Sequence, residues 1–121
     1  YAKMPYDRDI LVRLIVKKEK AAFDYQSVRN SQTDFPVLTC AAAKTEAGYR
    51  FSIGARPGKA VLFELADADI QAADVENMAE NAAKCVKEQV ETGSNTRGSA
   101  EYRKHLAGVL VRRAVCKLAG K

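Results

Sequence analysis

The strongest constraint on how this chain folds lies near its end. Residues 99–118, wound at about 100° per residue, give a helix whose apolar side chains cover more than half the wheel. Tyr102, Leu106, Ala107, Val109, Leu110, Ala114 and Leu118 make up that sector, and only Glu101, Lys104, His105 and Arg112 form a purely polar one. A helix this apolar has to be covered by protein on most sides. Ser99 is placed to cap its start, with a hydroxyl that can accept from a first-turn amide. Glu101 suits the positive helix end, and Arg112, Arg113 and Lys117 suit the negative one.

Arg103, Arg113 and Lys117 fall inside the apolar sector. An unpaired buried charge is very costly. Each cation therefore finds carboxylates, carbonyls or a partner chain, or snorkels to the rim of the core. At least one of Arg103 and Arg113 is expected to be largely buried and bonded to an acid or to backbone carbonyls, with the acids between Glu64 and Glu91 as the expected intrachain carboxylates.

The rest of the chain supplies strands first and one more helix after them. Residues 9–17 alternate, with Ile10, Val12, Leu14 and Val16 on one face, and predict a strand, half to mostly buried. Residues 22–29 predict a second, with Phe23, Tyr25 and Ser27 sharing a face. Residues 35–43 predict a third, with Pro36 near its start, where a missing amide does least harm. Its alanines suggest that both faces are closely covered. Gly48 closes a hairpin loop. Residues 49–53 and 61–65 then alternate around a turn at Arg56-Pro57-Gly58. Consecutive strands joined by tight turns make an antiparallel meander. Residues 72–91 predict a helix, with Val75, Met78, Ala79, Ala82, Val86 and Val90 on one stripe and Glu80–Lys84 as an i,i+4 pair. Strands followed by helices give an α+β domain, with the helices packed on one face of the sheet.

Several chemistries are disfavoured. At 121 residues the chain is one domain with a single core. Six Lys or Arg and one acid lie in residues 98–121, matching the net charge of +5. A nucleic-acid footprint needs aromatic or base-reading side chains among such cations. Only Tyr102 qualifies, so no nucleic-acid partner is expected. Cys40, Cys85 and Cys116 have no metal-ligand spacing and suit reduced structural thiols in a cytoplasm. His105 stands alone, with no nucleophile signalled beside it. No run approaches membrane-spanning length. Gly54-Ala55-Arg56-Pro57-Gly58-Lys59-Ala60 imitates a phosphate-binding loop. It is one residue too short between the glycines, lacks the hydroxyl after the lysine and leads into a strand.

Arg97-Gly98-Ser99-Ala100-Glu101-Tyr102-Arg103, followed by His105-Leu106-Ala107-Gly108-Val109-Leu110 and Arg112-Arg113-Ala114, resembles the closing segment of one family. That family is the FAD-binding (medium) subunit of molybdenum hydroxylases, the xanthine dehydrogenase and carbon monoxide dehydrogenase group. The match is to its C-terminal domain. The resemblance extends over residues 9–121, with residues 97–114 diagnostic.

The resemblance implies residues 1–20 as a connecting strand from a missing FAD-binding domain and 21–121 as the flavoprotein C-terminal domain. The start at Tyr1 rather than Met agrees with a processed or truncated product. It also implies a cytoplasmic oxidoreductase assembly in which this domain helps cover FAD and dock subunits. Electrons would pass from iron–sulfur clusters to FAD, with the molybdenum cofactor and the clusters on partner subunits. The FAD would be held mainly by the preceding domain. This chain has no glycine-rich diphosphate loop and is not expected to be catalytic by itself. The family often has a basic residue in the first strand of this domain, reaching towards the flavin. Gln26 occupies that place, with Arg29 nearby, and these two are the implied cofactor-binding residues. The other reading is a structural docking module with no cofactor contact.

Overall fold

The computed structural model describes residues 10, 12–16, 18 and 20–120. Four strands, β1 (Ala22–Arg29), β2 (Pro36–Thr45), β3 (Gly48–Gly54) and β4 (Val61–Leu65), precede two helices, α1 (Val75–Gln89) and α2 (Ala100–Leu118). The sheet order is β1-β2-β3-β4, with every pair antiparallel. The predicted meander and its helical layer are both present.

The period-2 pattern decides which face each side chain takes. Tyr49, Phe51 and Ile53 of β3 are buried with Leu38, Cys40 and Ala42 of β2, facing the helices. From α1 come Ala79, Ala82, Ala83 and Val86, and from α2 come Leu106, Ala107, Leu110, Val111, Ala114 and Val115. The alanines let the two helices lie close together. A one-turn 3₁₀ segment at Asp67–Asp69 leads from β4 towards α1 and brings Ile70 into the core, a segment that the sequence pattern does not signal.

The β2–β3 hairpin turns where Gly48 takes φ +128°. A Cβ there would also lie 2.3 Å from the Leu65 carbonyl oxygen, so both conformation and space demand glycine. The helix caps are side chains. Asp74 accepts from the Asn77 amide at 2.8 Å, which makes it the N-cap of α1. Ser99 accepts from the Tyr102 amide at 3.1 Å, as expected.

Four expectations need correction. Ile10 and Val12 to Val16 lie in no strand and are exposed. Asp9, Leu11 and Lys17 of that stretch lie outside the described residues. A strand needs a neighbour for its backbone groups, and no described strand pairs with β1 on its open edge. Second, Glu80 pairs with Arg112 across the helices at 3.4 Å rather than with Lys84 along α1. Third, Arg113 and Lys117 are exposed rather than inside a covered sector, while the expectation that at least one of Arg103 and Arg113 is buried is met by Arg103. Fourth, β2 is covered on its helix side, while Ala41 on the other face is exposed.

Candidate functional site

Three loops meet at one end of the sheet: residues 30–35 after β1, 55–60 after β3 and 90–99 between the helices. Arginines hold them together. Arg56 donates from Nε to the Lys59 carbonyl at 2.8 Å and from Nη1 to the Glu91 carbonyl at 2.6 Å. The Gly93 amide returns a bond to the Arg56 carbonyl at 3.0 Å. Arg97 pairs with Asp34 at 3.1 Å and lies over the Phe35 ring, 5.2 Å from its centroid. Asn30 donates to the Arg97 carbonyl at 3.1 Å. Arg29 donates to the Asp34 carbonyl.

Arg103 is the centre of this arrangement and is wholly buried. Its Nε donates to the Val37 carbonyl at 2.8 Å. Nη1 donates to the carbonyls of Gly93, at 2.7 Å, and Gly98. Nη2 donates to Asn95 Oδ1. The backbone explains the need for Nε. The register of β1 on β2 passes from Val28↔Leu38 to Arg29↔Pro36, so Val37 is the extra residue of a bulge. An extra residue has no ladder partner, and the guanidinium supplies one to its buried carbonyl. Of the two kinds of partner expected, acid or backbone carbonyl, the carbonyls are the ones found, and no carboxylate among residues 64–91 pairs with this guanidinium. A fork of five fixed N–H groups suits a ring of carbonyls, where a carboxylate would satisfy only two of them.

Gly98 packs closely against the cage, so that an added side chain would need Val37 to give by a few tenths of an ångström. A Cβ would stand 3.2 Å from Val37 Cγ1. Burial first, and the charge of Arg97 second, lower the Arg103 pKa. Arginine starts so high that the group stays charged.

At the other end of α2 lies a second polar cluster. Asp24 of β1 is buried on the helix side and accepts from Lys117 Nζ and from Gln26 Nε2, the latter at 2.7 Å. Burial acts to raise the Asp24 pKa. The hydrogen bonds from Lys117 and Gln26 and the charge of Lys117 outweigh it and leave the carboxyl below its ordinary value. Cys40, opposite Gln26 in the register, is buried, and burial with the Asp24 charge pushes its thiol up to about 12.

The two sequence-predicted site residues thus have different partners. Gln26, half-buried, uses its amide nitrogen on Asp24 and keeps its oxygen as an acceptor. Arg29 is exposed at the loop end. His105 is exposed and lines a groove of about 300 Å³ between α1 and α2 with Lys84, Lys87 and Arg112. No group of three or more metal-binding side chains occurs among the described residues. None of their helices is long and apolar enough to cross a membrane. All three cysteines are free. Sequence reasoning does not reach the role of Asn95 and the loop carbonyls. The available signal is the Arg103 position itself, in an apolar sector just after a loop rich in small polar residues.

No curated protein matches the chain. Among solved structures, it is similar to quinoline 2-oxidoreductase from Pseudomonas putida 86, with 22% identity, TM-score 0.70, and 83% of this chain covering 37% of that one. Carbon monoxide dehydrogenase from Hydrogenophaga pseudoflava, in a form lacking the Mo-pyranopterin moiety, gives 22% identity, TM-score 0.69, and 82% of this chain against 37% of that one. The cyanide-inactivated Cu,Mo-CO dehydrogenase gives 20% identity, TM-score 0.65, and 85% against 38%. The chain therefore spans little more than a third of the relatives it matches. At these identities the structures establish the shared fold. Residues 23–118 match the model of the CO dehydrogenase flavoprotein C-terminal domain. With that match over most of its length, the chain belongs to the CO dehydrogenase flavoprotein C-terminal domain family, as its Arg97–Ala114 segment implied.

Proposed function

We propose that the chain is the C-terminal domain of the flavin subunit of a multisubunit molybdenum hydroxylase of the xanthine dehydrogenase type. In this reading it helps cover FAD and docks subunits, so that electrons pass from iron–sulfur clusters to FAD. Its partners are the FAD-binding N-terminal domain, the iron–sulfur subunit and the molybdenum subunit of a cytoplasmic complex. The single observation that carries this is the family match over residues 23–118.

The residues present fit a peripheral contact with FAD. Gln26 retains an amide oxygen as acceptor, and the exposed Arg29 retains N–H groups beyond the one on Asp34. A neutral Gln can hydrogen-bond a flavin but cannot stabilise an anionic reduced ring as a cation would. A diphosphate needs a cradle of backbone amides, which the 55–60 turn does not provide, because it leads into β4 rather than a helix start. When bound, FAD supplies the redox chemistry, and the protein positions and shields it.

One observation favours the second reading, a docking module without cofactor contact: the Gln26 amide nitrogen is already committed to Asp24. Two measurements decide. The native assembly should absorb near ~450 nm as a flavoprotein does. The isolated chain titrated with FAD should show no saturable binding in the micromolar range. Unit-stoichiometry binding to the isolated chain would overturn the assignment of FAD to another domain.

A further inference from the structure

We propose that the helix-free face of the sheet seats the remainder of the flavoprotein, through an apolar, uncharged surface that fills a trough across the middle of the sheet. This rests on the reading above that the chain is one domain of such a protein.

Cross-strand register defines the face. One row runs Phe23, Ala43, Arg50, Glu64, and the next runs Tyr25, Ala41, Ser52, Leu62. A sheet face meant for water normally carries polar side chains. Here the middle of the face carries the small residues Ala41, Ala43 and Ser52 beside Arg50, while Phe23, Tyr25 and Leu62 stand 71%, 60% and 58% exposed at its sides. Between them lies a trough of about 270 Å³, with Ala41, Ala43 and Ser52 among its lining residues. The one ion pair on these rows, Arg50 with Glu64 at 2.9 Å, is self-neutralising. A contiguous apolar patch with a polar rim marks an interaction surface, and a neutral one calls for an apolar occupant rather than an acidic or basic one.

Two observations choose the occupant. The helices already cover the opposite face, so this is the one broad sheet face left open among the described residues. Relatives of this fold carry the matched part as 37–38% of their chains, which leaves more than half of each to be packed somewhere. The exposed apolar residues Ile10, Val12, Leu14, Ile15 and Val16 precede Ala21 and Phe23, which line the same trough. The surface and the chain that approaches it thus share one apolar character.

Hydroxyl-radical footprinting tests this, since Phe, Tyr and Leu side chains oxidise where water reaches them. The free chain is compared with the native assembly and with the flavin-bearing component split from it. Oxidation of Phe23, Tyr25 and Leu62 should fall about tenfold in both larger species, as burial in a water-excluding interface core requires. Equal rates in the free chain and the assembly overturn the proposal. Protection seen only in the complete assembly would place another subunit on the face and overturn it too. Protection of the free chain that grows with its concentration would place a second copy there and overturn it equally. Flavin absorbance of the assembly is read independently. A covered face without flavin sinks the flavoprotein reading alone, and an open face with flavin sinks this proposal alone.

Discussion

Replacing Arg103 by Met keeps a long apolar stem and removes the guanidinium. Four acceptors then lose a donor: the carbonyls of Val37 and Gly93, the Gly98 carbonyl, which keeps the Asn95 amide, and Asn95 Oδ1, which keeps the Arg97 amide. Gly93, Asn95 and Gly98 lie in a loop that water can reach, so part of their loss is recovered by hydration. Val37 is fully buried and sits at the bulge, where no strand neighbour can replace the bond. A buried acceptor left unsatisfied costs about 1–3 kcal/mol, and each bond from a charged donor contributes about 1.5–3. We therefore expect Arg103→Met to cost about 3–5 kcal/mol, a large part of the ~5–15 kcal/mol that holds a domain together. Arg103→Lys keeps the charge but loses the fork and should cost about 2 kcal/mol. Arg113→Met, at an exposed position, should stay within about 0.5 kcal/mol. Denaturant unfolding of the three variants reads these values directly. A cost below about 1 kcal/mol for Arg103→Met, or one equal to that of Arg113→Met, would refute the cage argument.

Other outcomes follow from the same contacts. The folded-state pKa of Asp24 is lowered, so its stabilisation is fully present above the ordinary carboxylate value near ~3.9 and is lost as pH falls through the lower folded value. Asp24→Asn should flatten the acid side of the stability–pH curve, and an unchanged slope would exclude Asp24 as its source. Gly48→Ala meets both a positive φ and the Leu65 carbonyl. It should lower stability by more than about 1 kcal/mol, whereas a neutral thermal shift would show that the hairpin relaxes freely. Maleimide should label Cys85 and Cys116, both partly exposed, well before the buried Cys40, whose thiol is pushed up to about 12. Mass mapping that finds Cys40 first would contradict the packing of β2 under the helices.

Local pattern carries the fold far. Alternation at Tyr49, Phe51 and Ile53 and the stripe of α1 point to the core because period alone decides which side chains face it. Ser99 is legible as a cap because the chemistry is local. Ile10 and residues 12–16 are the opposite case. Their alternation is real, but a strand exists only with a neighbour, and periodicity carries no information about neighbours. The phase of α2 is equally hard to read. Arg113 and Lys117 share the apolar sector on paper, yet only Arg103 is buried. A bulge 66 residues away and a loop that turns its carbonyls inward make that position habitable. The burial of Arg103 is legible from its place in the apolar sector, but its partners are not, because hydrogen-bond partners so distant in sequence leave no spacing to read.

The bonds that join α2 to the sheet also decide when the domain can form. Arg103 reaches back 66 residues to Val37, and Lys117 reaches back 93 to Asp24. The strands emerge from the ribosome first, and their inner face, with Phe51 and Ile53, lacks most of its helical cover until α2 is made. Loop closure over such distances is slow, and an unfinished sheet exposes apolar surface and open edges while it waits. Folding of this domain therefore completes only once α2 has been synthesised. A nascent chain stalled before residue 100 would hold four strands but neither of the two clasps, and would be a substrate for chaperones rather than a partly native domain.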